Sequence, residues 1–231
     1  MEGLGRDDPN CIKDYKVLVN LINDIGFLPL FKNSIKGFSV EEITIADAWW
    51  SDRPEEDPWQ WREVIASEGD IAYGKLFNNK AGFVSKKWYP YFASYRRDGY
   101  DFDSRYEDGL ASLRTKKIID VLTLCEQLPS NELKLAAGFG KGGEKGYESA
   151  ISLLQMQTYI TVRDFKRRRN KKNEEFGWPV AIYSLSEHLF GEDYVCSAYH
   201  IGTQESKKII MDRLKERFPK ATDSEIEKVI R

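Results

Sequence analysis

Residues 153–183 read LLQMQTYITVRDFKRRRNKKNEEFGWPVAIY. Two β-favouring runs, YITVRDFKRR and FGWPVAIYSL, flank the polar connector RNKKNEE, which predicts a two-stranded antiparallel ribbon. Upstream, TKKIIDVLTLCEQL carries Ile118, Ile119, Val121, Leu122 and Leu124 toward one side of a helix. Pro129 then stops the chain, and Ser130 is expected to cap a second helix, NELKLAAGF. The loop GKGGEKG leads into a third helix, YESAISLLQ. Three helices followed by a two-stranded wing is the order of a winged helix-turn-helix. The expected fold class is α+β, with that unit at residues 115–200 between an aromatic-rich α+β N-terminal half (1–114) and a helical C-terminal tail (201–231). The N-terminal half is open to reading as a second winged-helix-like unit.

Elsewhere, PNCIKDYKVLVNLINDIG spaces Val17, Leu18, Leu21, Ile22 and Ile25 helically before the stop Gly26. Four of the six tryptophans, Trp49, Trp50, Trp59 and Trp61, fall in ADAWWSDRPEEDPWQWREVIA, where a helix is expected to start near Pro58. Two readings stand for them: a bridge from helix to sheet, or an aromatic platform for a base. Residues 71–85 read as a hairpin turning at NNK, and 86–97 as a helix with Trp88, Tyr91, Phe92 and Tyr95 on one stripe. The acidic run RRDGYDFDSRYEDG lacks the calcium-loop spacing, so its carboxylates are expected to cap helices and pair with Arg96, Arg97 and Arg105. A catalytic carboxylate there is the competing reading. In the tail, QESKKIIMDRLKERF is an amphipathic helix ended by Pro219, and Thr222 with Glu225 forms a capping box for a last helix.

Composition excludes several classes. Cys11, Cys125 and Cys196 form no CxxC pair, and only His188 and His200 are available as imidazole ligands, so no metal site and no cofactor is expected. The Gly-x-Ser-x-Gly elbow is absent. No apolar stretch reaches the ~20 residues that cross a bilayer, and no signal-peptide pattern opens the chain, so no membrane partner and a cytoplasmic location are expected. Net charge is −2, so any case for a polyanionic partner rests on charge distribution rather than on the total. Oligomeric state is not legible.

That distribution is uneven. Arg163, Lys166, Arg167, Arg168, Arg169, Lys171 and Lys172 crowd into ten residues of the ribbon, with Asp164 the one acid among them. Such crowding either meets an anionic partner or is wholly solvated. In a winged helix the wing follows a phosphate backbone while the third helix enters a groove, and Lys141 and Lys145 in the glycine loop stand where a phosphate can dock. Double-stranded DNA is the expected partner. The two glutamines raise a second question. If the third helix ends near Gln155, then Gln155, Gln157 and Tyr159 share a strand face opposite Met156 and Thr158. The carboxamides then hold either a water or base edge, or simply backbone at the join.

LLQMQT followed by a β-favouring run resembles the Gln-Φ-Gln or Gln-Φ-Asp signature of AlkZ-type DNA glycosylases, tandem winged-helix enzymes that excise alkylated or crosslinked purines. DPWQWR, YGKLFNNKAGF, RRDGYDFD, LLQMQTYITVRDF and FGWPVAIY together resemble the AlkZ-related family more closely. The resemblance implies catalytic positions at Gln155 and Gln157. The glycosylases also carry a His-Glu-Ala-Ser stretch before an aromatic residue and an arginine. The nearest positions here are Asn79 and Lys80, ahead of Trp88 and Arg96, with different residue types and in the reverse order relative to the glutamines.

A carboxamide is no general base near pH 7; it orients water and stabilises developing positive charge. That suffices only for a leaving base already activated as a cation. The resemblance thus implies hydrolysis of the N-glycosidic bond of cationic alkylated purines, with neutral bases such as uracil barely touched. The alternatives are a non-catalytic DNA-binding regulator or scaffold, and a protein-interaction winged helix without nucleic acid.

Overall fold

The computed structural model describes residues 3–231. The chain runs α1 (Tyr15–Ile25), β1 (Phe27–Pro29), α2 (Val40–Ile43), α3 (Pro58–Glu68), β2 (Ile71–Phe77), β3 (Lys80–Ser85), α4 (Tyr89–Arg97) and α5 (Phe102–Glu107). It continues through α6 (Leu113–Leu124), β4 (Leu128–Pro129), α7 (Ser130–Ala136), α8 (Tyr147–Met156), β5 (Ile160–Arg169) and β6 (Glu175–Leu185). After the ribbon come α9 (Ser186–Phe190) and α10 (Glu192–Val195), then α11 (Thr203–Arg217) and α12 (Asp223–Ile230) in the tail. The fold is therefore α+β.

Local chemistry accounts for most boundaries. The Asp14 carboxylate accepts the Lys16 N–H at 2.6 Å to open α1, and Gly26 closes it at φ 107°. Asp57 caps α3 ahead of Pro58 at the first helical position. Asn78 and Asn79 both adopt positive φ, the conformation of a two-residue hairpin turn, between β2 and β3. Thr222 and Glu225 complete the capping box of α12.

One expected cap is corrected. Ser130 is the first residue of α7 rather than its cap, and its hydroxyl lies 3.3 Å from the Tyr147 hydroxyl instead. The acidic run is also partly corrected. Asp101 does cap α5, accepting the Ser104 N–H at 2.8 Å, but Arg97 pairs with Glu187 and Arg96 bonds backbone carbonyls. Both arginines sit on a helix that carries them into the interior, out of reach of a solvent-facing loop.

All six strands form one antiparallel sheet in the order β1-β3-β2-β5-β6-β4. The sheet crosses the sequence position where the N-terminal half was expected to end: Tyr73 of β2 pairs with Val162 of β5, and the Thr161 hydroxyl donates to the Tyr73 carbonyl at 3.0 Å. One hydrophobic cluster accompanies it, from Leu18 through Phe83, Ile118, Leu154 and Ile160 to Ile230. Close packing at the sheet centre is visible at Gly82, where a Cβ would meet the Phe77 ring at 2.5 Å and the Leu28 carbonyl at 2.8 Å. The outer part of the β5–β6 ribbon extends past its neighbours, braced by α3 on one flank and α7 on the other.

Candidate nucleic-acid interface

The ribbon is irregular where it is most basic. Lys166 pairs with Val180 but Arg168 with Phe176, so Gly177, Trp178 and Pro179 stand opposite Arg167 alone. Gly177 accepts φ 67°, and Pro179, lacking an N–H, fits a bulge rather than a ladder. The tip is closed by Asn170, whose side-chain oxygen accepts the N–H groups of Lys172 at 2.8 Å and Glu174 at 3.0 Å. A cleft of about 890 Å3 runs along the ribbon, lined by Phe165, Phe176 and Val180 with Lys166 to Arg169, and by Asn131 and Glu132 of α7.

The seven cations divide into two groups. Lys166 pairs with Glu132 at 3.3 Å, Arg167 with Glu63 at 3.1 Å and Arg169 with Glu175 at 3.3 Å. Among the described residues, Arg163, Arg168, Lys171 and Lys172 have no carboxylate within ion-pair distance. Glu63 and Glu132, distant in sequence, and Glu175 of the facing strand thus offset part of the basic stretch. Lys141 and Lys145 are exposed beside a separate groove of about 400 Å3, which shares no lining residue with the ribbon cleft. Glu144 in that loop pairs with Arg114 and Lys117, whose hydrogen bonds hold its carboxyl below the usual range.

A structure at the base of the ribbon has no counterpart in the sequence reading. Arg62 of α3 is 4% exposed, its guanidinium 3.8 Å from the Trp59 ring centroid and 4.3 Å from that of Phe165. Burial lowers the Arg62 pKa, and burial likewise raises that of Glu63, which lies 3.3 Å from Arg62 and also binds Arg167. Trp59 meets the exposed Trp178 of β6 edge-on at 6.1 Å and Trp50 at 6.0 Å. The tryptophans of the N-terminal half therefore split. Trp49 and Trp61 are buried and donate to Thr44 Oγ1 and the Glu55 carbonyl, while Trp50 faces solvent. The one available signal was the i, i+3 spacing of Trp59 and Arg62, which makes them helix neighbours.

The glutamines do not line one strand face. Gln155 lies inside α8, Gln157 is its C-cap, and the strand begins only at Ile160. Gln155 is 2% exposed; its Oε1 accepts the Lys75 N–H at 2.9 Å and its Nε2 donates to the Ile151 carbonyl at 3.1 Å. The reason is local to β2, whose register with β3 shifts between Gly74 and Phe77 and leaves the Lys75 N–H without a strand partner. Gly74 makes room, since a Cβ there would stand 3.0 Å from Gln155 Oε1. Gln157 is half-buried, and no hydrogen bond of its carboxamide is found among the described residues. We expect Gln155→Ala to cost about 1–3 kcal/mol by orphaning that amide, with Gln157→Ala near neutral. Urea unfolding of the two variants measures the contrast.

Thr158, the next residue, is β-branched yet sits at φ 64°, a strained conformation. Its carbonyl accepts three donors: Arg97 Nη2 at 2.6 Å, the Tyr89 hydroxyl at 2.7 Å and the Ser186 hydroxyl at 2.8 Å. Arg97 is 1% exposed, stacks on Tyr159 at 4.3 Å and pairs with Glu187. Burial opposes its charge, but Glu187 overcomes that and raises its pKa. The helix-to-strand join behind Gln157 is therefore clamped from α4 and α9.

The remaining expected positions lie elsewhere. Asn79 is in the β2–β3 turn, and the Lys80 ammonium donates to the Lys32 carbonyl at 3.4 Å. Trp88 packs on Phe27 and Tyr91, and Arg96 bonds the carbonyls of Leu76 and Ile230, tying β2 to the C-terminus. Burial pulls Arg96 down to about 10. Lys80, Trp88 and Arg96 thus have structural partners, and none of the four positions is joined to the glutamines by a described contact.

The fold and site define an α+β protein with a cationic, aromatic-flanked ribbon mounted on an antiparallel sheet. The chain matches the AlkZ-related family model over residues 12–231 and belongs to that family. Comparisons with curated proteins and with solved structures found no match. Among the described residues, no helix is long and apolar enough to cross a membrane.

Proposed function

We propose that the protein binds double-stranded DNA by laying the outer β5–β6 ribbon along a phosphate backbone. The observation that carries this is the set Arg163, Arg168, Lys171 and Lys172, cations left without carboxylate partners on a ribbon whose other charges are compensated from within. The helix order of α6, α7 and α8, with β4 paired to the wing strand β6, supports a winged-helix reading of residues 113–185. Family membership supports a DNA-repair theme. The open positions of α8, Glu148, Ser149 and Leu153, carry no cation, so the ribbon rather than that helix is the proposed backbone contact. Lys141 and Lys145 are proposed as a secondary contact.

Four phosphate contacts release counterions with a slope of about −3.6 in log K against log salt, about a 10²-fold loss of affinity between 50 and 200 mM. Fluorescence anisotropy on a duplex of random sequence measures it; a flat dependence would reject the proposal.

A second reading, excision of cationic alkylated purines, is favoured by Gln157, a carboxamide with no described protein partner beside the strained Thr158. In that reading Gln157 orients the attacking water while Gln155 holds the helix against β2. Incubation with methylated duplex tests it: base release lost in Gln157→Ala supports catalysis, and binding without release leaves a non-catalytic DNA-binding protein. Release of uracil at a comparable rate would contradict the carboxamide chemistry.

A further inference from the structure

Trp178 is 65% exposed and Phe176 51% exposed, two large aromatic side chains on the most basic part of the chain. Neither is needed for the core. Phe176 lines the ribbon cleft, and its Cα pairs with that of the unpartnered Arg168. Trp178 is held in place from behind: the Trp59 ring abuts it edge-on at an interplanar angle of 87°, and Trp59 is itself backed by the buried Arg62 guanidinium. The backbone adds to this order, because Pro179 restricts Trp178 to extended conformations. A rigid, braced indole with an open face costs little further entropy when a flat ligand stacks on it. Every nucleobase offers such a face, but in a fully paired duplex the faces are already stacked.

We propose that Trp178 stacks an unpaired nucleobase whose flanking phosphates follow Arg168, Lys171 and Lys172, so that the protein prefers DNA containing a single-stranded segment. This deepens the ribbon reading above and rests on it. The proximity of cations and aromatic faces on one ribbon favours a nucleic-acid occupant over a purely apolar one, since the same cations would be costly to bury against an apolar protein surface.

The test titrates wild type, Trp178→Ala, Trp178→Leu and Trp178→Phe against a fully paired duplex and the same duplex interrupted by a short gap. Near-ultraviolet circular dichroism checks that each variant is folded. The expected result is tighter binding of the gapped duplex by wild type. Trp178→Ala and Trp178→Leu should weaken gapped binding about 5- to 150-fold and leave the paired duplex unchanged, while Trp178→Phe retains most of the preference. Equal wild-type affinity for the two DNAs, or an equal loss on both in Trp178→Ala, overturns the stacking proposal while the ribbon reading stands. Full retention by Trp178→Leu overturns it too, because leucine has no π-face. If Trp178→Ala abolishes self-association in sedimentation without altering DNA preference, the indole is a protein contact and the proposal falls. Failure of wild type to bind either DNA overturns both readings.

Discussion

Arg97→Met is expected to lower the unfolding free energy by about 3 kcal/mol, read as an earlier midpoint in urea. The guanidinium is saturated: Thr158 carbonyl and Oγ1, Ser186 Oγ, Glu187 Oε1 and the Tyr199 hydroxyl all receive its N–H groups, and Tyr159 covers its face. Methionine fills comparable volume but returns none of these bonds. Glu187 keeps partial access to water, its side chain 24% exposed, which places the cost toward the lower end of that for a broken buried pair. Loss of the clamp also leaves the strained Thr158 backbone with fewer constraints. Glu187→Gln, which retains a hydrogen-bond acceptor for Arg97, should cost less. A variant as stable as the parent would show that the join between α8 and β5 is held by packing alone.

The triple variant Arg168→Ala/Lys171→Ala/Lys172→Ala is expected to reduce the salt slope from about −3.6 to about −0.9 and duplex affinity by about 10²-fold at physiological salt. The three side chains are exposed and make no described ion pair, so thermal stability should stay within about 0.5 kcal/mol of the parent. Removing Lys166 and Arg169 instead should matter less, because Glu132 and Glu175 already neutralise them and a phosphate would have to displace those carboxylates. An unchanged slope in the triple variant would move the phosphate contact off the ribbon, to the Lys141 and Lys145 groove as the next place to test.

Gln155 illustrates how far the sequence led and where it stopped. The triplet Gln-Met-Gln lies at a helix-to-strand join, but strand alternation does not govern it because the strand begins only at Ile160. The helix carries through Met156, and Thr158 turns at positive φ. A missing strand partner at Lys75, eighty residues away, determines what the Gln155 amide does. No local pattern contains that information.

By itself the sequence determined the local elements. The helix start at Pro58, the capping box at Thr222, the Asn78–Asn79 turn, the apolar stripes of α1 and α6 and the polar connector of the ribbon are short-range signals, decided by backbone sterics and by bonds between residues a few positions apart. Family membership was legible for the same reason, in runs of adjacent residues. Only the tertiary structure decided that β2 joins β5 in one sheet, that Glu63 and Glu132 compensate ribbon cations, that Arg62 lies between Trp59 and Phe165, and that Arg97 faces inward to Glu187. Each of these depends on which distant surfaces are pressed together, and burial then sets the strength of every charge and hydrogen bond found there.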